Sequence, residues 1–247
     1  MDTLHPQTHA LIRKMESIVT LSDEENAALM RLPMQVQKLR AKQDIVREGD
    51  RPSRCYLLLE GFACRYSTTH KGTRQILSFH IPGEMPDLQS IHLKTMDHSL
   101  QTITPCKVGF VQHETMRDLC HRYPRIGDVL WRETLIDGAI FREWMINIGR
   151  REAYPRACHL LCELMTRMRA VGLAEDHTCE LPITQGELAD ALSITNVHAN
   201  RVLQEIRKDK LISLTKKTLK VLDWEGLKRA GEFDPTYLHL ESDRPAA

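Results

Sequence analysis

Apolar residues recur along this chain with two different periods, and the switches between them mark out its elements. Residues 1–9 read as a loose lead-in. From Leu11 to Met30 the spacing is helical, in two pieces. The second piece is capped at Ser22. Asp23, Glu24 and Glu25 fill its first turn, where the positive end of the helix dipole favours carboxylates. Pro33 ends the pattern. From Gln35 to about Phe110 the apolar runs are short and separated by turn residues. Ile45-Val46 is followed by Glu48-Gly49-Asp50, and Cys55 to Leu59 by Glu60-Gly61. Phe62 to Ser67 leads to His70-Lys71-Gly72, and Gln75 to His80 leads to Pro82-Gly83-Glu84. Short strands spaced by roughly 8–12 residues predict an all-β roll or sandwich.

Helical spacing then returns. Glu114 to Leu119 reads as a short helix. Arg125 to about Ile148 reads as one long helix, with an apolar stripe that includes Ile126, Val129, Leu130, Leu135, Ile136, Ala139, Ile140, Trp144 and Ile148. That stripe is broader than contact with one domain requires. Gly149-Arg150-Arg151 interrupts it and is the expected hinge, because glycine permits a bend. Another helix carries Ala157, Leu160, Leu161, Leu164, Met165 and Met168 on one side and stops at Gly172. Leu173 to Glu180 reads as a link.

The stretch from Thr184 to Leu214 predicts a helix-turn-helix running into a hairpin wing. Thr184 and Glu187 have the spacing of a capping box, and Leu188, Ala189 and Leu192 follow as a short apolar face. Ser193-Ile194 is the turn and Thr195 a second N-cap. The next helix would bury Ala199, Val202, Leu203 and Ile206. It would present Asn196, Val197, His198, Asn200 and Arg201, clustered in its first two turns, where a recognition helix meets base edges. Leu211 to Leu214 and Leu219 to Leu222 flank a Lys216-Lys217 turn whose lysines are candidate phosphate contacts. Trp224 to Arg229 is a short helix, and the acidic tail from Gly231 onward is expected to be partly ordered at best. Charge separates this stretch from an ordinary helical hairpin. Between Asn196 and Lys220 there are seven bases and two acids, whereas the 247-residue chain carries a net charge of only +1. A local basic patch on a nearly neutral protein is an electrostatic footprint for phosphate.

The run from Ile183-Thr184 through Arg201-Val202-Leu203 to Leu211-Ile212 resembles the DNA-binding domain of the Crp/Fnr regulators, the family of the cyclic-AMP receptor protein. The succession Ile-Val-Arg-Glu-Gly-Asp, Leu-Leu-Leu-Glu-Gly, Arg-Gln-Ile-Leu and Pro-Gly-Glu is similar to that family's effector domain. The likeness is traceable from about Leu11 to Leu222. It implies an α+β fold: an N-terminal cyclic-nucleotide-binding-like β roll (jelly roll), a long dimerisation helix and a C-terminal winged helix-turn-helix. The expected divisions are residues 1–124, 125–150 and 151–223, with a tail over 224–247. The resemblance also implies double-stranded DNA as partner and a homodimer through residues 125–150, with RNA polymerase a further candidate. It puts Asn196, Val197, His198, Asn200 and Arg201 on the recognition helix, and Thr184, Gln185 and Thr195 at phosphates. Two departures stand out. Ser193 occupies a turn position the family usually gives to glycine. Asn196-Val197 replaces the Arg-Glu pair of the best-known member, so that member's site sequence does not carry over.

The effector is not named by the sequence. In cyclic-nucleotide-binding members an Arg near the end of the roll holds the cyclic phosphate. The corresponding stretch here, Met85 to Thr104, has no Arg, and its nearest cations are Lys94 and His98. Cyclic AMP is therefore disfavoured. Iron–sulfur members bind their cluster through N-terminal cysteines, and with no Cys before Cys55 that sensor is disfavoured too. The seven cysteines, Cys158 and Cys162 on one helix face among them, read as buried thiols. His80, His92, His98 and His113 match no ligand motif and read as surface or hydrogen-bonded histidines. No nucleophile elbow, Walker loop or His-Glu-x-x-His is present, so an enzyme is not expected. No apolar run approaches the ~20 residues of a membrane helix, and the N-terminus lacks a signal-peptide core. The expected location is the cytoplasm. The competing reading is a ligand- or redox-sensing module whose helix-turn-helix mediates protein contacts.

Overall fold

The computed structural model describes residues 9–240, so most of the expected lead-in and residues 241–247 lie outside the described residues. Contacts divide the chain into two units, one of residues 1–67 with 78–137 and one of residues 68–77 with 138–247. Among the described residues no helix is long and apolar enough to cross a membrane.

The first unit opens with α1 (His9–Glu16) and α2 (Asp23–Met30). The predicted cap of α2 is a full capping box: Glu25 N–H donates to Ser22 Oγ at 3.2 Å and Ser22 N–H to Glu25 Oε2 at 2.8 Å. Seven strands follow: β1 (Gln35–Leu39), β2 (Asp44–Val46), β3 (Arg54–Glu60), β4 (Ala63–Thr68), β5 (Arg74–His80), β6 (Ser99–Thr102) and β7 (Cys106–Gln112). They form two sheets, ordered β1-β7-β3 and β2-β6-β4-β5. Tyr56, Leu58, Leu100, Val108 and Phe110 fill the space between them. The turn after β5 needs a glycine twice over. Gly83 has φ +98°, and a Cβ there would run into the Ala10 carbonyl of α1. A 3-10 turn, Leu88–Ile91, crosses to β6, and α3 (His113–Arg122) leads from β7 to the long helix α4 (Pro124–Arg150).

The chain turns within the expected hinge, at its last residue. α4 runs unbroken through Gly149 to Arg150, and Glu152 caps the next helix, so the chain turns at Arg151. One glycine costs a helix only about 1 kcal/mol, less than a 27-residue helix gains by packing.

The second unit takes in residues 68–77, the start of β5 among them, and the end of α4, and contains α5 (Ala153–Ala170), β8 (Ala174–Glu175), β9 (Thr178–Glu180), α6 (Gln185–Leu192), α7 (Asn196–Lys208), β10 (Ile212–Thr215), β11 (Thr218–Val221) and α8 (Trp224–Ala230). Leu173 to Glu180 is more than a link. Its two short strands extend the wing into a four-stranded sheet, β10-β11-β9-β8. Residues 231–240 form an ordered part of the tail. Phe233, Leu238 and Leu240 are buried, and Pro235–Leu238 forms a 3-10 turn. Two of the tail's aromatic side chains pack on His159 of α5. Phe233 meets the His159 ring edge-on at 5.2 Å, and Tyr237 stacks on it at 5.9 Å.

Candidate nucleic-acid interface

α6 and α7 are built by their caps. Thr184 Oγ1 accepts from Glu187 N–H at 3.2 Å, while Glu187 Oε2 accepts from Thr184 N–H at 2.7 Å and from its hydroxyl at 2.8 Å. Thr195 Oγ1 accepts from His198 N–H at 3.2 Å and so caps α7. Gln185 Nε2 donates to the Asn196 carbonyl at 2.8 Å, tying the first turn of one helix to the first turn of the other. The three residues singled out for phosphate contacts thus sit at two adjacent helix N-termini, where backbone N–H groups and the dipole favour an anion.

α7 divides as its periodicity requires. Ala199, Val202, Leu203 and Ile206 are buried, and Asn196, Val197, His198, Asn200 and Arg201 are exposed. Val197 is 73% exposed, a large apolar side chain left in water at the helix's leading end. At the wing, Thr215 pairs with Thr218 across a two-residue turn of Lys216 and Lys217, both exposed. Lys216 has φ +55°.

Ser193 ends α6 in the left-handed region, with φ +54°, and both it and Ile194 donate backbone bonds to the Ala189 carbonyl. A residue with a Cβ costs roughly 1 kcal/mol in that conformation. Its hydroxyl bonds the Gln75 side-chain carbonyl on the surface of the same unit. Ser193→Gly should relieve the strain and lose only that exposed bond. The expected result is a net gain of about 0.5 kcal/mol, seen as a small rise in melting temperature. A fall would mean that the Gln75 bond outweighs the backbone term.

The first unit contains a polar network that the sequence did not disclose. Arg65 on β4 is 3% exposed. Its Nε donates to His98 Nε2 at 3.1 Å, its Nη1 pairs with Asp137 of α4 at 2.9 Å, and its Nη2 donates to the Pro86 carbonyl. His98 Nδ1 lies 2.6 Å from Asp97 Oδ1, and Gln89 Nε2 reaches His98 Nε2 at 3.3 Å. These bonds suit a neutral ring with its proton on Nδ1. Burial, and then the Arg65 charge, push His98 down to about 4. The stretch Met85–Thr104 therefore lacks an Arg in sequence, yet one reaches it from β4. No local pattern announces a lone Arg whose partner lies on another element.

His80 and His113 also have partners. His80 bonds Ser78 at 2.8 Å and Glu84 at 3.0 Å, and His113 bonds Ser90 at 2.9 Å. Cys158 and Cys162 are buried, and burial raises both thiols, Cys158 to about 12. Among the described residues no three or more His, Cys, Asp or Glu are grouped as metal ligands.

Residues 36–123 match the family model of the cyclic nucleotide-binding domain, and residues 155–230 match that of the Crp-like helix-turn-helix domain. The transcriptional activator protein FnrL of Cereibacter sphaeroides is 24% identical over 195 residues, 78% of each chain. The transcriptional activatory protein AadR of Rhodopseudomonas palustris is 25% identical over 222 residues, 88% of this chain and 89% of that one. The solved structure of FixK2 from Bradyrhizobium japonicum superimposes with a TM-score of 0.73 at 20% identity, covering 87% of this chain and all of that one. A Crp-family regulator from Thermus thermophilus superimposes at 0.62, with 20% identity and 79% of this chain covered against 96% of its own.

Proposed function

The chain belongs to the Crp/Fnr family of transcription regulators, and from that premise we propose that it acts as a homodimer on two-fold symmetric DNA sites. Each subunit lays the first turns of α7 in the major groove. The observation that carries this is the exposure of Asn196, Val197, His198, Asn200 and Arg201 on a helix whose opposite side is fully buried. Arg201 pairs bidentately with a guanine, and Val197 offers an apolar contact for a thymine methyl. Thr184, Gln185 and Thr195 hold phosphates at the helix N-termini, and Lys216 and Lys217 hold them from the wing. Support for the dimer comes from α4, which leaves Trp131, Leu135, Met145 and Ile146 exposed beside its buried stripe. A large exposed apolar face on one helix fits a second copy of that helix. Two copies would set the reading heads at half-sites ~34 Å apart.

The first unit senses an effector other than cyclic AMP. Arg65, which reaches the Met85–Thr104 stretch from β4, already has Asp137, His98 and the Pro86 carbonyl as partners, so a cyclic phosphate would have to displace a carboxylate from a half-buried ion pair.

Selection from a random DNA library with the purified protein tests this reading. It predicts enrichment of a two-fold symmetric site for which the logarithm of the binding constant falls linearly with log salt, by counterion release. Arg201→Ala should cost ~1–3 kcal/mol at one base pair and relax discrimination there. Equal losses on specific and random DNA would reassign Arg201 to phosphate. Folded, dimeric protein that enriches nothing and shows no salt-dependent binding would favour a module using α7 for protein contacts.

A further inference from the structure

The first unit holds a cleft of about 550 Å³ between the 3-10 turn, α3 and the first turns of α4. Leu88, Ile91, Met116 and Leu130 supply an apolar wall, and Trp131, 64% exposed in the single chain, lines the open side, at the edge of the α4 face proposed above to meet a second copy. The cationic or protonatable nitrogen groups on its lining are Arg117, His92 and His121, and no carboxylate lines it. Arg117 is fixed in place, since its Nη2 donates to the Ile91 carbonyl at 2.7 Å. A guanidinium has five N–H donors, enough for that bond and for a bidentate grip on an oxyanion.

We propose that this cleft binds a small aromatic carboxylate, its ring against Trp131, Leu130 and Met116 and its acid group on Arg117. The lining discriminates among ligand classes. An inorganic anion would leave the apolar wall in water, and a neutral hydrocarbon would cover the guanidinium without pairing it. A polyanionic nucleotide would find one Arg and mostly hydrocarbon. A flat apolar body with a single negative end suits both parts, and the volume is in the range of small-molecule sites.

The same residues connect the cleft to α4. Gln89, on the turn that walls the cleft, reaches His98, and His98 accepts from Arg65, which pairs with Asp137. Asp137 lies three residues beyond Thr134, which also lines the cleft. An occupant touching both the turn and α4 therefore acts on the two ends of one buried chain of bonds. It shifts the position of α4 only as far as it binds the two arrangements differently. Binding stands independently of the DNA-binding reading, whereas this regulatory consequence rests on it.

The test is calorimetric titration of the full chain with 2-naphthoate and with neutral 2-naphthamide, without DNA. Saturable binding of naphthoate, near one per chain, is expected. Arg117→Gln, at an exposed position, should weaken naphthoate at least tenfold and leave naphthamide unchanged. Thr134→Trp, which fills the cleft, should weaken both. No saturable heat at millimolar naphthoate overturns the site, as does an Arg117→Gln protein that binds it like the wild type. A parallel measurement of DNA affinity with and without naphthoate then separates the claims. A shift supports the link through Arg65 and Asp137, and unchanged affinity with naphthoate bound overturns that link alone.

Discussion

Glu163→Gln is expected to lower the unfolding free energy by about 3 kcal/mol, a large share of what holds a domain of this size together. Glu163 lies in α5 with no exposed surface. One of its oxygens accepts from Trp144 Nε1–H at 3.0 Å and from the Tyr237 hydroxyl at 2.9 Å. The other accepts from Arg167 Nη1 at 2.9 Å. Three donors therefore converge on one carboxylate, and one of them is a buried cation. Glutamine keeps the shape but removes the charge, and its NH₂ group must face a donor whichever way the amide is turned. Removing one member of a buried ion pair costs more than the pair contributes, because the remaining charge stays out of water. Urea unfolding at unchanged slope should report the loss. A change below about 1 kcal/mol would mean that Arg167 and its neighbours are satisfied without this carboxylate. Tyr237→Phe removes a single neutral donor and should cost less, on the order of 1 kcal/mol.

The same cluster explains why the order of residues 231–240 is not legible in the sequence. Residues 231–240 have few apolar positions, an acidic character and a proline, which is the composition of a loose end. Order comes from what they meet. Gly231 packs so closely on α5 that a Cβ would stand 2.5 Å from the His159 backbone nitrogen, and Tyr237 ends at Glu163. None of that is encoded within the tail. Elements whose cause is local were legible: the capping boxes at Ser22 and Thr184, the buried side of α7, and the two-residue turn of the wing. Those residues act on neighbours three or four positions away. The same contrast holds in the roll. Its glycine-marked turns could be read off, while Arg65 could not, because its ionic partner lies 72 residues along the chain. Within the expected hinge the break falls at Arg151 and not at Gly149, because a glycine lowers helix stability without forbidding the helix, and packing of α4 decides the matter.

Asp87→Asn should make the protein progressively more stable than the wild type as pH rises from about 4 to about 7. Asp87 has no exposed surface, and burial pushes its carboxyl up to about 7. Tyr56 N–H donates to its Oδ1 at 2.9 Å, and the Ser90 hydroxyl, 3.4 Å from Oδ2, continues to His113. No cation pairs with it in this set of bonds. A folded-state pKa above the unfolded value means that the native protein holds the proton more tightly. The resulting stability is fully present below the unfolded pKa of about 4 and is lost as pH rises through 7. A displacement of roughly three units corresponds to a wild-type loss on the order of 4 kcal/mol over that window. Asparagine reproduces the protonated acid, keeps an oxygen for Tyr56 N–H and does not titrate. His98 works in the opposite sense. Held down to about 4, it contributes stability above pH ~6.5 that is lost as pH falls, so the wild-type curve alone mixes the two. Subtracting the wild-type curve from the Asp87→Asn curve removes every group that both proteins share. The difference should climb between pH 4 and 7 and level off above it. Parallel curves would show that Asp87 is ionised in the folded protein throughout, and that the turn after β5 tolerates a buried negative charge through contacts other than the bonds from Tyr56 and Ser90.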